Sequence, residues 1–358
     1  MTNLLRVHEL TVELPTPSGW VRPVNDVSLH VTAGESLGLV GESGSGKTMM
    51  ALALMGLLPI GARVSGEALW EGDARMSNAA SASGAAAPAT GHSIDANRNS
   101  QGVNLTGLSE RAWRDVRGRE IAMVFQEPMT ALNPVMRIGA QIAEAIRAHN
   151  PSVHATEVRR RMLEALQRTA VPEPETRAEQ FPHQLSGGLR QRAMIAMALA
   201  GGPRLLIADE PTTALDVTVQ KQILDLLDRL RRELKLGLLF ITHDLGVVAQ
   251  VADRVAVMYA GRIVEEGPAR EVLQSPRHPY TQGLLAASPT LERGKLTPIP
   301  GTVPQLTALP PGCAFEPRCS QRIAECVRAV PDLHEVSPDH AARCILVGSD
   351  VSNLEATR

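Results

Sequence analysis

The stretch Gly41-Glu42-Ser43-Gly44-Ser45-Gly46-Lys47-Thr48 constrains this chain more than any other. It fits G-x-x-x-x-G-K-S/T, the pattern of a phosphate-binding loop. Before it, Ser36 to Val40 is short, apolar and strand-like. After it, Met49 to Leu58 is apolar and helix-forming, and Pro59 stops it. Strand, glycine loop and helix in that order are the context the motif requires. Glycines let successive N–H groups turn inward around an anion, and a helix N-terminus adds partial positive charge. Lys47 can reach β- and γ-phosphates, Thr48 can place its hydroxyl on Mg²⁺, and Met49 continues the helix start that faces the nucleotide.

The 358 residues suggest two domains, or one large domain with an appendage. Hydrophobic content of 44% supports a globular core. A net charge of −2 and only 3% aromatics argue against a nucleic-acid partner, which needs a basic field and stacking surfaces. No apolar run reaches the ~18 residues that span a bilayer. Met1 to Leu5 lacks the basic and apolar regions of a signal peptide, so a cytosolic protein is expected, held at any membrane by other chains.

Along the chain, Leu4 to Leu14 and Val24 to Val31 read as strands, with a loop at Pro15, Pro17 and Gly19. Strands joined by short turns before the first helix suggest an antiparallel layer beside the nucleotide core. Ser65 to Trp70 is another short strand. From Ala74 to Val103, twenty of thirty residues are Ala, Ser, Gly or Asn. That composition cannot offset its ordering entropy, so a disordered insertion is expected at about 74–103. Ser109 opens a helix, Glu120 to Phe125 is a buried strand, and Ile138 to Ala148 and Glu157 to Ala170 have helical period. A helical subdomain is therefore expected over about 105–200. Leu205 to Ala208 and Leu238 to Thr242 are further core strands, with an amphipathic helix between them. After Gly267-Pro268 the chain turns proline-rich, which divides it into 1–268 and an appendage, 269–358.

Three further sites carry chemistry. Asp209 ends an apolar strand and can hold Mg²⁺ opposite Thr48; Glu210, one residue later, can polarise an attacking water as general base. His243 and Gln126 end other core strands, where α/β sheets bind ligands. His243 suits a γ-phosphate contact, and Gln126 suits the metal and the water. Ser186-Gly187-Gly188 opens a helix and is physically a second anion site. One triphosphate seldom needs two, so this one is expected to serve a nucleotide bound to another chain.

Together these residues resemble the ATP-binding subunit of an ABC transporter. Gly41 to Thr48 matches Walker A, Gln126 the Q-loop, and Leu185 to Arg192 the family signature. Leu206 to Glu210 matches Walker B, Ala214-Leu215-Asp216 the D-loop, and His243 the switch histidine. The resemblance implies an α/β fold: a RecA-like core, an antiparallel β subdomain, a helical subdomain and a small C-terminal extension. It implies ATP and Mg²⁺, with Glu210, His243 and Gln126 catalytic, and Thr48, Gln126 and Asp209 on the metal. It implies a head-to-tail dimer in which Ser186, Gly187, Gly188 and Asp216 of one subunit meet the ATP of the other. There are two departures. Leu14 stands where an adenine-stacking aromatic is usual, with Trp20 as substitute, and Leu189 replaces the commoner Gln in the signature.

Phe125 to Pro134, Ser275 to Thr281 and Pro311 to Cys319 resemble the oligopeptide and dipeptide import branch, which nickel and glutathione importers also resemble. The branch implies two integral membrane permeases, a second ATPase subunit, a substrate-binding protein, and a peripheral position on the cytoplasmic face of the membrane. Cys313, Cys319, Cys326 and Cys344 are spaced C-x5-C-x6-C-x17-C, unlike the paired spacing of common zinc modules. Four thiols in one appendage of a cytosolic chain suggest a four-ligand site, with four reduced cysteines or a redox disulfide as alternatives. The resemblance implies a 4Fe–4S cluster there, ahead of zinc.

Overall fold

The computed structural model describes residues 2–72, 102–213, 215–288 and 297–348. The expected insertion therefore lies outside the described residues except at its end. Ala214 of the D-loop lies outside them too.

Two sheets divide the strands. The first holds β1 (Asn3–Thr16), β2 (Gly19–Thr32), β4 (Arg63–Trp70) and β5 (Val103–Asn104), and the second begins with β3 (Ser36–Val40). The order β2-β1-β4-β5 is antiparallel throughout. This is the expected antiparallel layer, with one correction at the hairpin. β1 runs on through Pro15, which pairs with Trp20, so the loop shrinks to a tight turn at Pro17 and Ser18. A second correction concerns Val103. Composition assigned it to the insertion, yet it pairs with Trp70 across β4–β5. Trp70 and Val103, on either side of the segment, therefore stand on neighbouring strands.

The second sheet has the order β11-β12-β10-β9-β3-β8-β7-β6. Its members are β6 (Ile121–Val124), β7 (Leu205–Asp209), β8 (Gly237–Thr242), β9 (Arg254–Tyr259), β10 (Arg262–Pro268), β11 (His334–Ser337) and β12 (His340–Ala342). β6, β7, β8, β3 and β9 are parallel. β3, β6, β7 and β8 are buried along their whole length, as strands covered on both faces are. β10 runs antiparallel to β9, and β12 adds to β10, so the C-terminal strands extend the nucleotide sheet itself.

Apolar side chains gather in four clusters. One packs the first sheet and the helix Lys47–Leu54 against one face of the core sheet, with Trp70 and Trp113 inside. A second fills the opposite face around Phe240 and the helix Val217–Leu234. In that helix Ile223, Leu226, Leu227 and Leu230 recur at helical spacing and are all buried. Each contributes about 1.5–3 kcal/mol by leaving water. A third cluster joins β9, β10 and the appendage around Tyr259, Tyr280 and Phe315. The fourth belongs to the helices Ile138–His149, Ala155–Arg168 and Gly187–Leu199. Its members run from Leu132 to Ala196, narrower than the expected 105–200, because Trp113 and Val116 pack with the phosphate-loop helix instead. Among the described residues no helix is long and apolar enough to cross a membrane.

Candidate functional site

Strand register builds the site. Val40 pairs with Thr242, Asp209 with Ile241, and Val124 with Ala208. The C-terminal ends of four parallel strands therefore align, and Gly41, His243, Glu210 and Gln126 emerge along one edge. This is where open α/β sheets bind ligands.

The phosphate loop is tightly cradled. A Cβ on Gly41 would lie 2.1 Å from the Met258 carbonyl oxygen, so only glycine lets β9 approach. The Gly261 N–H donates to Ser45 O at 2.9 Å, tying the loop to the β9–β10 turn. Lys47 is folded back into its own loop. Its ammonium donates to Gly41 O at 2.7 Å and Glu42 O at 3.0 Å, with Ser45 Oγ at 3.4 Å. Burial lowers its pKa.

Glu210 is the convergence point. Its Oε2 accepts from Thr213 Oγ1 at 2.9 Å and Gln126 Nε2 at 3.3 Å, and lies 3.2 Å from His243 Nδ1. The residue sits at φ 45°, the left-handed region, a strained backbone typical of functional positions. Beside it Asp209 is buried and hydrogen-bonds Thr48, and burial raises its pKa. Asp209 Oδ1 is buried with no hydrogen-bond partner. A buried carboxylate oxygen left open beside a hydroxyl fits a cation site, and Mg²⁺ there would be held by Asp209 and Thr48.

The Glu210–His243 contact shifts both groups. The hydrogen bond from His243 holds Glu210 below its ordinary 4.5, and the same bond raises His243 above 6.5. The stabilisation from Glu210 is present above pH 4.5 and lost as pH falls through its lowered value. That from His243 is complete below pH 6.5 and lost as pH rises through its raised value. His243→Ala is thus expected to lower the melting temperature most between about pH 4.5 and 6.5 and progressively less at alkaline pH. A loss that does not change with pH would show that the pair carries no charge.

Ser186 caps the helix Gly187–Leu199, its Oγ accepting from the Leu189 N–H, and Asp216 caps Val217–Leu234 in the same way. Among the described residues no hydrogen bond joins Ser186, Gly187 or Gly188 to the phosphate loop. One face of Trp20 is covered by the Arg63 guanidinium at 3.9 Å.

The four cysteines line one small cavity beside His278 and Phe315. Burial raises the thiols of Cys313, to about 11, and of Cys319 and Cys344. The donor chemistry fits a four-thiolate site, although the cavity the thiols enclose is small. The cavity is about 20 Å³, space for about one water. Among the described residues no group of three or more His, Cys, Asp or Glu side chains is arranged to hold a metal ion. The iron–sulfur expectation thus finds its ligands converging without a formed cage.

Two contacts of the phosphate loop come from residues to which sequence reasoning assigned no role. Arg318 grips the Glu42 carboxylate, and the Tyr280 hydroxyl accepts from the Glu42 N–H. Both lie inside stretches that carry the import-branch resemblance, but nothing local in them points to the loop.

Known proteins resemble the chain along most of its length. The family model described as ABC transporter matches residues 24–213, and that described as oligopeptide/dipeptide transporter, C-terminal region, matches 264–326. A Brucella ovis protein named for peptide import ATP binding is 48% identical over 352 residues, covering 96% of both chains. The oligopeptide transport ATP-binding protein OppD of Bacillus subtilis is 45% identical over 360 residues, covering 99% of this chain and 92% of its own. Among solved structures, the ATP-binding cassette MJ0796, dimeric and bound to ADP and Pi, aligns with TM-score 0.59 at 25% identity. It covers 75% of this chain and 99% of its own.

Proposed function

This chain belongs to the ABC transporter family, with the C-terminal region of the oligopeptide/dipeptide transporters, and from that premise we propose that it hydrolyses ATP to power peptide import through a membrane complex. The observation that carries the catalytic part is the convergence of Gln126, Thr213 and His243 on one oxygen of Glu210, beside the open Asp209 Oδ1. In this reading Glu210 is the general base, with Gln126 and His243 orienting it towards a water and the γ-phosphate. Gly41 to Met49 cradles the phosphates, and Lys47 leaves its intraloop acceptors for phosphate oxygens. Mg²⁺, held by Thr48, Asp209 and Gln126, would neutralise charge between the β- and γ-phosphates. Ser186, Gly187, Gly188 and Asp216 serve the nucleotide of a partner ATPase in a head-to-tail dimer, similar or identical to this chain. The dimeric cassette support comes from the solved relatives.

We assign two integral permeases and an extracytoplasmic substrate-binding protein as partners, with the chain peripheral on the cytoplasmic side. Residues 1–268 form the ATP-binding domain in this reading, and 269–358 the import-type extension. The four thiols are the proposed ligands of a 4Fe–4S cluster that staples the extension. Their convergence on one cavity supports this, and binding would require that cavity to widen.

The test is co-expression with two candidate permeases, anaerobic purification, and ATPase assay in vesicles. ATP hydrolysis stimulated by a peptide-loaded binding protein, and abolished by Lys47→Ala in every ATPase subunit, is the expected result. Failure to co-purify with any permease would overturn the transport role. Iron and sulfide in the same sample would establish the cluster, and four titratable thiols without metal would remove it.

A further inference from the structure

The C-terminal extension reaches into the phosphate loop. Glu42 is the loop's second residue, and the extension and Lys47 hold all three of its polar groups. The Glu42 N–H donates to Tyr280 Oη at 2.8 Å, and its carbonyl accepts from Lys47 Nζ at 3.0 Å. Its carboxylate takes a two-pronged grip from Arg318, Nη1 to Oε2 at 2.7 Å and Nη2 to Oε1 at 3.0 Å.

The gripping groups are themselves held. The Arg318 side chain is 5% exposed, and its Nε donates to Pro300 O at 2.9 Å. Its Nη1 also donates to Tyr259 Oη at 3.3 Å. Tyr280 is fully buried and packs on Tyr259 and Phe315 with ring centroids 4.5 and 5.3 Å away. The start of its helix, Pro279–Ala286, is fixed by the buried Glu265, which accepts from the Arg277 and His278 N–H groups at 2.7 and 2.8 Å. Rigid support of this kind is what a positioned site needs.

We propose that Arg318 and Tyr280 are positioning residues of the ATP site, acting through Glu42. Two physical effects combine. A loop with glycines at three of its first six positions loses much backbone freedom when it closes on phosphate. Holding Glu42 at both its N–H and its side chain removes part of that loss before the nucleotide arrives. The second effect is charge. A carboxylate in a loop that binds a polyanion repels it, and the Arg318 fork neutralises that carboxylate. Without Arg318, an unpaired carboxylate would remain beside the triphosphate. The extension is then part of the nucleotide site and not only an attachment to it.

The proposal rests on the reading of Gly41 to Thr48 as the ATP cradle, and the experiment separates the two. In the full chain, Arg318→Met is expected to raise KM for ATP about tenfold or more while kcat at saturation changes little, since lost preorganisation and repulsion act on binding. Arg318→Lys, which keeps the charge but not the fork, should fall between. Tyr280→Phe, which deletes only the acceptor oxygen, should raise KM about threefold or more, one lost hydrogen bond. The diagnostic variant is Glu42→Gln with Arg318→Met. Removing the stranded charge should recover most of the affinity, an outcome that general damage to the extension would not give. Arg322→Ala, at an exposed arginine that pairs with Glu316 and not with Glu42, should leave KM unchanged.

If Lys47→Ala still binds ATP normally, the cradle reading itself fails. If Lys47→Ala loses ATP while Arg318→Met and Tyr280→Phe keep the native KM, only the positioning role is overturned. The same holds if Glu42→Gln gives Arg318→Met no recovery. Melting temperatures of each variant without nucleotide accompany the kinetics, and Tyr280→Phe, the smallest change, carries the test should Arg318→Met fold poorly.

Discussion

Replacing Glu210 by Gln is expected to lower ATP hydrolysis by about 10²–10⁴-fold, the usual range for removing a positioned general base. Binding of ATP should survive, because the phosphate loop, Lys47 and Asp209 are untouched. The amide still fills the space and can still meet Thr213, but it cannot take a proton from water. The neighbourhood explains why no other group substitutes. Gln126 and Thr213 have no basic nitrogen or carboxylate, and Asp209 is buried and hydrogen-bonded to Thr48. His243 directs its Nδ1 at Glu210, 3.2 Å away, and is read as a γ-phosphate contact. The variant should therefore accumulate as an ATP-bound closed dimer. The assay is steady-state phosphate release together with nucleotide retention, with every ATPase subunit in the complex carrying the change. Turnover within about tenfold of the parent, well short of the loss a missing base causes, would remove Glu210 from the base role.

Gly46→Ala is expected to be as damaging, by a different route. Gly46 sits at φ 109° and caps the helix Lys47–Leu54. A Cβ there would lie 1.9 Å from the Pro23 carbonyl oxygen and 2.8 Å from Met258 Cε. The methionine end can swing aside, but the Pro23 backbone lies within β2 and cannot. The loop must move instead, and displacement of about 1 Å in a binding constellation costs on the order of 10²-fold. ATP affinity should fall by about that much, read by equilibrium titration. Gly44→Ala is the matched comparison. Gly44 has φ 80° but open space within 4 Å, so it meets backbone strain alone, about 1–2 kcal/mol. Equal effects at both positions would show that strain, and not the approach of Pro23, governs the loop.

Much of this was legible in the residues themselves. The phosphate loop, its strand and its helix are neighbours along the chain, so their geometry follows from local rules of glycine, periodicity and helix start. Ser109, Ser186 and Asp216 cap helices where short polar side chains precede apolar periodicity. Buried parallel strands read as unbroken apolar runs, and the residues just beyond them, Gln126, Glu210 and His243, could be named before their meeting point was known.

Other features were decided only by tertiary packing. That Gln126, Thr213 and His243 meet on one oxygen of Glu210 depends on the register of β6, β7 and β8. The half-burial of Val103 and its pairing with Trp70 depend on a sheet edge, which composition does not report. The four cysteines converge on one cavity because β12 adds to β10 and brings Cys344 back to Cys313 and Cys319. Arg318 and Glu42 stand 276 residues apart, and a fork on a carboxylate leaves no trace in the local pattern of either. Sequence alone determined the elements and the chemistry each could offer, since propensity, capping and periodicity act over a few residues. Which of those elements share one site was decided by the packing of distant apolar clusters, and that is a property of the fold.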